Sequence, residues 1–484
     1  MYYGTPVTEI KDHAFDDCKY LRYVSIPDTI ETIGANPFRY SKDISKIKLS
    51  KNHPYIAYLD GALYVKAEKR LVTYFRNDKR RSFVIPQGIR IIGDDAFYEA
   101  KLWDNVSIPD SVTTIGERAF SYSTIHEANI PASVASIGEQ AFYRCRSLET
   151  VKLSKGLKTI GNSAFEDCGF LSKISLPEGV TSIGDYAFAY CDSLRRINIP
   201  NSVTEIGANP FKCSDKLTLN IASNHPALSL SGNVLYSKAD HRLVALVGNA
   251  SSVKIAKDTE IIGADAFWFK PLKSVSIPDT VKAIGDSAFG CTNLVNIKIP
   301  ANVAVIGPFA FSGNDELKTA ELQSGLEEIG RGAFSSCPKL KSITIPETVT
   351  KLGDFAFWQD SALEKIEIKG NIPEIGEETF KSCSFESIDL PDSVESIGDR
   401  AFLWNKKLKN VKLPANLKSI GSEAFSGCAA LETLEIPASV TEIGRNAFKD
   451  CNLLRVETES DYVRWYCEKN GIALAGDGTL DWLR

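Results

Sequence analysis

The chain is poor in the residues and motifs from which active sites are built. Its 484 residues include five histidines, and these (His13, His53, His126, His225 and His241) lie far apart. No C-x-x-C occurs among its eleven cysteines, although a zinc site needs closely spaced ligands. No H-E-x-x-H, G-x-S-x-G or phosphate-cradling glycine loop is present, so the motifs that position a metal-bound water, an activated serine or a nucleotide are missing. We therefore expect no catalytic residue, no metal and no cofactor, and hence no enzyme. A basic excess is missing too. Lys and Arg number 56 against 61 Asp and Glu, a net charge of −5, which argues against nucleic acid as a partner. No run of 18 apolar residues exists, so membrane insertion is not expected. The first residues, "MYYGTPVTEI", have neither the basic start nor the apolar stretch of a signal peptide.

What the chain has in abundance is repetition. The hexad Ile-Gly-x-x-Ala-Phe recurs with its glycine at positions 93, 116, 138, 161, 184 and 207, then from 263 to 444 in nine further copies. Gly34 opens an earlier copy and Lys11 stands in place of glycine in the first, which makes seventeen hexads. Within each run the step is 22 or 23 residues, and a fixed period of this size signals stacked coils rather than separate globules. Between hexads lie segments such as "LSKISLP" (Leu171 to Pro177) and "LRRINIP", in which apolar and polar residues alternate as in a strand with one buried face.

These two signals predict a coil. A short strand cannot bury its apolar face alone, so the chain returns and lays the next strand beside it, about 4.8 Å away. The hexad Ile, Ala and Phe fill the return path, with Phe stacked on Phe. The glycine is expected where the backbone needs positive φ, and the acidic residue that often follows it (Asp94, Asp185, Asp354, Asp399) is expected in the first turn of a short helical segment. A calcium ladder of these acids is not expected, because Ala35, Pro308, Arg331 and Arg445 interrupt it.

The pattern L-x-x-[IV]-x-[IL]-P followed by I-G-x-x-A-F-x-x-C resembles the BspA-like branch of the leucine-rich repeat family over nearly the whole chain. The resemblance implies a leucine-rich repeat solenoid of α/β horseshoe type, rich in β. One curved parallel β-sheet would line the concave side, with short helical turns and loops on the convex side. It also implies microbial proteins that are surface-exposed or secreted and associated with adhesion and protein binding. On this reading residues 1–456 form one solenoid, and 457–484 form a C-terminal cap with a capping helix over about 461–470 and a tail. Two longer coils, at about 50–82 and 222–252, share "NHP", "LY" and "RLV" and should carry hairpins projecting from the convex side or edge. The N-terminus begins in mid-repeat, so further residues are expected upstream. An extracellular or cell-surface location follows from the resemblance alone; eleven unpaired cysteines without a leader equally suit a reducing interior.

Eight cysteines (Cys18, Cys145, Cys168, Cys191, Cys291, Cys337, Cys428, Cys451) stand three residues before the first apolar residue of a strand, where other coils place Asn314 and Asn405. A slot shared by Cys and Asn reads as a buried ladder satisfying backbone groups. Two surfaces are candidates for binding. On the outward face of the expected concave sheet stand Lys152, Arg196, Asn198, Lys298 and Glu321, followed by Lys365, Glu367, Asp389, Lys412 and Glu435. Just past the hexad Phe stand Tyr98, Tyr122, Tyr143 and Tyr190, then Trp268, Phe269, Trp358 and Trp404, either an aromatic ridge able to grip protein or sugar or rings leaning on neighbouring coils. The packing reading is favoured, because solenoid edges need filling. A protein partner leads; a glycan held by the aromatic edge and a passive spacer are the alternatives.

Overall fold

Alternate burial marks every full repeat. In Arg196–Ile199 the two isoleucines are buried while Arg196 and Asn198 face solvent. The computed structural model describes residues 6–75, 81–102 and 104–475, and the chain divides into two compact units, Met1–Lys238 and Ala239–Arg484. Together they hold about 19 turns of β-solenoid. In the first unit the strands Phe83–Val84, Asn105–Ser107, Glu127–Ile130, Thr150–Leu153 and Lys173–Ile174 form a parallel ladder, paired in register as in Ala128↔Val151 and Val151↔Ile174.

A second ladder runs on the return path. The residue pairs that precede each hexad glycine, Ile91–Ile92, Thr114–Ile115, Ser136–Ile137, Thr159–Ile160, Ser182–Ile183 and Glu205–Ile206, pair parallel with one another in sequence order. Short helical turns were expected here. Among the described residues the one α-helix is instead the C-terminal Asp461–Asn470. The hydrogen bonds give the reason. Around the first hexad of this run, Ala96 and Tyr98 donate to Gly93 and Asp95 within the turn, whereas Asp95, Phe97 and Glu99 donate to Glu117, Ala119 and Ser121 of the next coil. An α-helix consumes every N–H internally; here every second one is needed by the neighbour.

The hexad glycine is required for a reason other than the one expected. No hexad glycine among the described residues has positive φ. A Cβ on Gly138 would lie 2.6 Å from the carbonyl carbon and oxygen of Gly116, so glycine permits the coils to approach. Positive φ falls instead two residues later, at Asp95 (55°), Arg118 (49°) and Gln140 (53°). The acidic residue after glycine is likewise no helix start. Its carboxylate accepts the backbone N–H of the same position one coil on: Glu117 to Asp94 at 2.8 Å, Glu377 to Asp354 at 2.9 Å, Ser422 to Asp399 at 2.6 Å.

The phenylalanines stack as the repeat predicts. From Phe97 through Phe120, Phe142, Phe165 and Phe188 the ring centroids lie 4.9, 5.0, 5.2 and 5.5 Å apart, with interplanar angles of 6–7°. In the second unit Phe267, Phe289, Phe311 and Phe334 repeat the arrangement at 4.8, 5.2 and 5.2 Å.

The hairpins do not simply project. Ile56–Leu59, Ala62–Val65 and Arg70–Tyr74 are antiparallel neighbours, and the last of them pairs parallel with Ile91–Ile92, Arg70 opposite Ile91. The hairpin thus takes the place of the absent hexad in the second ladder, with Leu63, Val65, Leu71 and Val72 buried. Asn36 bridges the skipped coil by donating to the Asp95 carbonyl at 2.8 Å. The "NHP" histidine anchors the base. His53 Nε2 donates to Pro27 O (3.0 Å) while its Nδ1 accepts from Ile56 N, and His225 does the same with Pro200 and Leu228. At the other end Ser460 caps the helix, Gly471 closes it at φ 69°, and Val463, Tyr466 and Cys467 are buried. Tyr466 OH donates to Gly444 O and Tyr462 OH accepts from Ile443 N, so the helix seals the last coil. The tail expected after it lies, from residue 476, outside the described residues.

Candidate functional site

The polar interior is the first place to look for chemistry, and most of its ladder is given over to backbone hydrogen bonds. The slot lies three residues after the hexad Phe. Its side chain donates to the Phe carbonyl of the preceding coil: Cys145 to Phe120 (3.0 Å), Cys168 to Phe142 (3.1 Å), Cys191 to Phe165 (3.3 Å), Cys337 to Phe311 (3.3 Å). Asn314 and Asn405 donate in the same way to Phe289 and Phe380, and Ser214 to Phe188. Counting from the Phe corrects the expected membership. Cys383 belongs, donating to Phe357, whereas Cys291 does not; Thr292 fills that slot. No disulfide joins any of the eleven cysteines, and burial pushes the Cys145 thiol up to about 12, far from the thiolate that nucleophilic or metal chemistry requires. Among the described residues no group of three or more His, Cys, Asp or Glu is placed to hold a metal ion.

One slot holds an acid. Asp360 is fully buried, accepts the Cys337 N–H through Oδ1 at 2.7 Å and leaves Oδ2 without a hydrogen-bond partner. Burial holds its carboxyl well above the usual carboxylate range. The flanking titratable groups are the thiols Cys337 and Cys383, both themselves pushed up by burial. The cysteine, asparagine and serine occupants named above all donate to the preceding Phe carbonyl, so a protonated Asp360 fits their place in the ladder where a carboxylate does not.

The aromatic edge resolves into two positions. Tyr98, Tyr143, Trp268 and Trp358 directly follow the Phe and are half-buried. Tyr122, Tyr190, Phe269 and Trp404 stand one residue further, at φ between 55° and 62°, and are exposed, Phe269 and Trp404 most of all at 64% and 54%. Left-handed backbone turns these side chains outward, at a cost of about 1–3 kcal/mol each that the surrounding coil bonds offset. The rings also serve packing. Gly290 and Gly427 lie under Trp268 and Trp404, one coil on in the same register, where a Cβ would meet the indole at 2.5 and 2.6 Å. Tyr98, Tyr122 and Tyr143 form ring contacts at 5.4 and 5.6 Å, with Arg144 over the last two.

The outer strand face is different: it carries no packing duty. Lys152, Arg196, Asn198, Lys298, Glu321, Lys365, Glu367, Asp389, Lys412 and Glu435 are all exposed. In the second unit opposite charges sit on facing residues, Lys298↔Glu321 and Asp389↔Lys412, and Lys298 Nζ lies 3.5 Å from the Glu321 carboxylate. In the first unit Lys152 pairs with Glu127 at 2.5 Å, while Lys173 and Arg196 face neutral threonines. Sequence reasoning placed these side chains outward but did not read which of them face each other, because facing depends on register between coils.

Comparison with known proteins agrees with this architecture. The model of the BspA type leucine rich repeat region matches residues 3–59, 72–173, 113–231, 247–364 and 327–455. The chain belongs to this family of repeat scaffolds, whose members are typically non-enzymatic. Among solved structures it is similar to a leucine-rich repeat protein from Eubacterium ventriosum, at 23% identity and TM-score 0.52, covering 83% of this chain and 94% of the other. It is also similar to the pneumococcal vaccine antigen PcpA, at 19% identity and TM-score 0.51, covering 87% and 98%. No curated protein matches the chain. Among the described residues no helix is long and apolar enough to cross a membrane.

Proposed function

We propose that the chain is a noncatalytic protein-binding module of adhesion type that presents the outer face of its strand ladder to a partner at the cell surface or outside the cell. The observation that carries this reading is the contrast in duty between surfaces. The slot side chains satisfy the backbone and Trp268 and Trp404 lie over glycines, whereas the outer strand positions project exposed charged and amide side chains, joined between coils at most by surface pairs. Such a periodic polar face, repeated at strand spacing, suits an extended macromolecular surface better than a small molecule. The test is capture of partners from host or neighbouring-cell extracts on the immobilised chain, repeated with Arg196→Glu and Lys365→Glu. Retention of no partner by the unmodified chain sinks the proposal in favour of a spacer. The exposure of Trp404 and Phe269 favours glycan recognition as a second reading, since open aromatic faces stack on sugar rings. A glycan array in which Trp404→Ala abolishes a signal supports that reading, and an unchanged array removes it.

A further inference from the structure

Charge on the outer strand face is segregated. In the first unit the outer positions of the main strands carry Lys46, Lys48, Lys152, Lys173 and Arg196 against Glu127 alone. In the second unit five cations, Lys254, Lys298, Lys365, Lys412 and Arg455, stand with five anions. The whole chain carries −5, so the cationic face of the first unit runs against the overall balance. Three of its cations, Lys152, Lys173 and Arg196, come from consecutive coils. Among the described residues Lys173 and Arg196 have no acidic partner.

The same place shows a discontinuity in the backbone. The five-stranded ladder ends at Lys173–Ile174, and Arg196–Ile199 pairs only onward, with Thr218–Ile221. Lys173–Ile174 is two residues long where its neighbour Thr150–Leu153 has four. A recess of 470 Å³ opens over the last two strands of that ladder, lined by Lys152, Leu153, Lys173, Ile174 and Ser175, with Leu153 and Ile174 half-buried in its floor.

We propose that this recess takes an extended acidic polypeptide segment, a proposal that rests on the protein-binding reading above and gives it a location. Lys173 and Arg196 meet the partner's carboxylates, the shortened strand presents an edge to its main chain, and Leu153 and Ile174 receive an aliphatic side chain. No aromatic residue stands on these strands to stack a sugar ring, which sets a peptide above an acidic glycan. The attraction is between exposed charges and so is screened by salt.

The test uses fluorescence anisotropy of the full chain with a labelled Glu-Ser repeat peptide, a Gln-Ser control and a sulfated oligosaccharide as competitor. The Glu-Ser peptide is expected to bind and the Gln-Ser peptide not to. The double variant Lys173→Glu/Arg196→Glu, both side chains being exposed, should keep its thermal midpoint and weaken binding by about tenfold or more, equivalent to about 1.4 kcal/mol. Lys257→Glu, an exposed turn residue off the strand face, should change it by less than about twofold. Equal binding by the double variant, or capture of the oligosaccharide without the peptide, overturns the proposal. If the double variant still captures the partner that the unmodified chain retains from extracts, this site is refuted while the protein-binding reading stands.

Discussion

Truncating one ring of the phenylalanine stack tests the load carried by the interior. Phe142 is fully buried, with Phe120 and Phe165 centred 5.0 and 5.2 Å on either side. Core Phe→Ala changes cost about 3–5 kcal/mol, the spread reflecting how far the site can collapse. Collapse is poor here. The backbone on both sides is held by Phe120 N to Ala141 O at 2.7 Å and Phe142 N to Ala164 O at 2.8 Å, so the cavity persists and two ring contacts are lost together. Phe142→Ala should therefore fall in the upper part of that range. Phe15 supplies the internal comparison: it stacks on one neighbour, Phe38, at 5.4 Å and is 38% exposed, and Phe15→Ala should cost less than about 2 kcal/mol. Urea denaturation followed by intrinsic fluorescence, with limited proteolysis to locate the opened coils, measures both. Similar losses at the two positions would refute the claim that stacking between coils, rather than each coil's own content, stabilises the fold.

The remaining predictions concern single contacts. Gly138→Ala should destabilise by about 1–3 kcal/mol, whereas Gly169→Ala, where a Cβ meets nothing within 4 Å, should stay within about 0.5 kcal/mol; equal thermal shifts contradict the close-approach explanation. Cys168→Ser keeps a donor for the Phe142 carbonyl and should be tolerated, while Cys168→Val leaves that carbonyl unpaired at a cost of about 1–3 kcal/mol, both read by denaturant midpoint. Asp360 makes stability depend on pH. Its carboxyl is raised on folding, so its contribution is complete below the ordinary carboxylate range and declines as pH rises toward the folded value. The slope from this group is about 1.4 kcal/mol per pH unit. Asp360→Asn, the residue used at the equivalent positions 314 and 405, should lack that decline, and superimposable pH profiles for the two proteins would refute a protonated acid in the ladder.

Much of the architecture was legible because the same solution is written many times. The alternation in "LRRINIP" and its relatives marked the main strands, and the recurrent Phe marked the stack. The helix over residues 461–470 was readable from its serine start and glycine stop. The second ladder was not, because strands of two residues such as Thr114–Ile115 are too short to show alternation. The roles of Gly138 and Asp94 were misread for a common reason: each acts on the coil beside it, some 22 residues away in sequence, and a local backbone rule describes only the residue's own turn. Cys383 and Cys291 exchanged places because the slot is set by distance from the Phe rather than from the strand. At the surface, residue type showed which side chains point outward, but not that Lys298 faces Glu321 while Lys173 faces threonine.

The amino-acid order alone determined the period, the buried face of each strand and the family, since these depend on neighbours along the chain and on the hydrophobic alternation they produce. Only the tertiary structure decided which polar groups are consumed by packing and which stay available, because that depends on register between coils, where a shift of a single residue changes every partner.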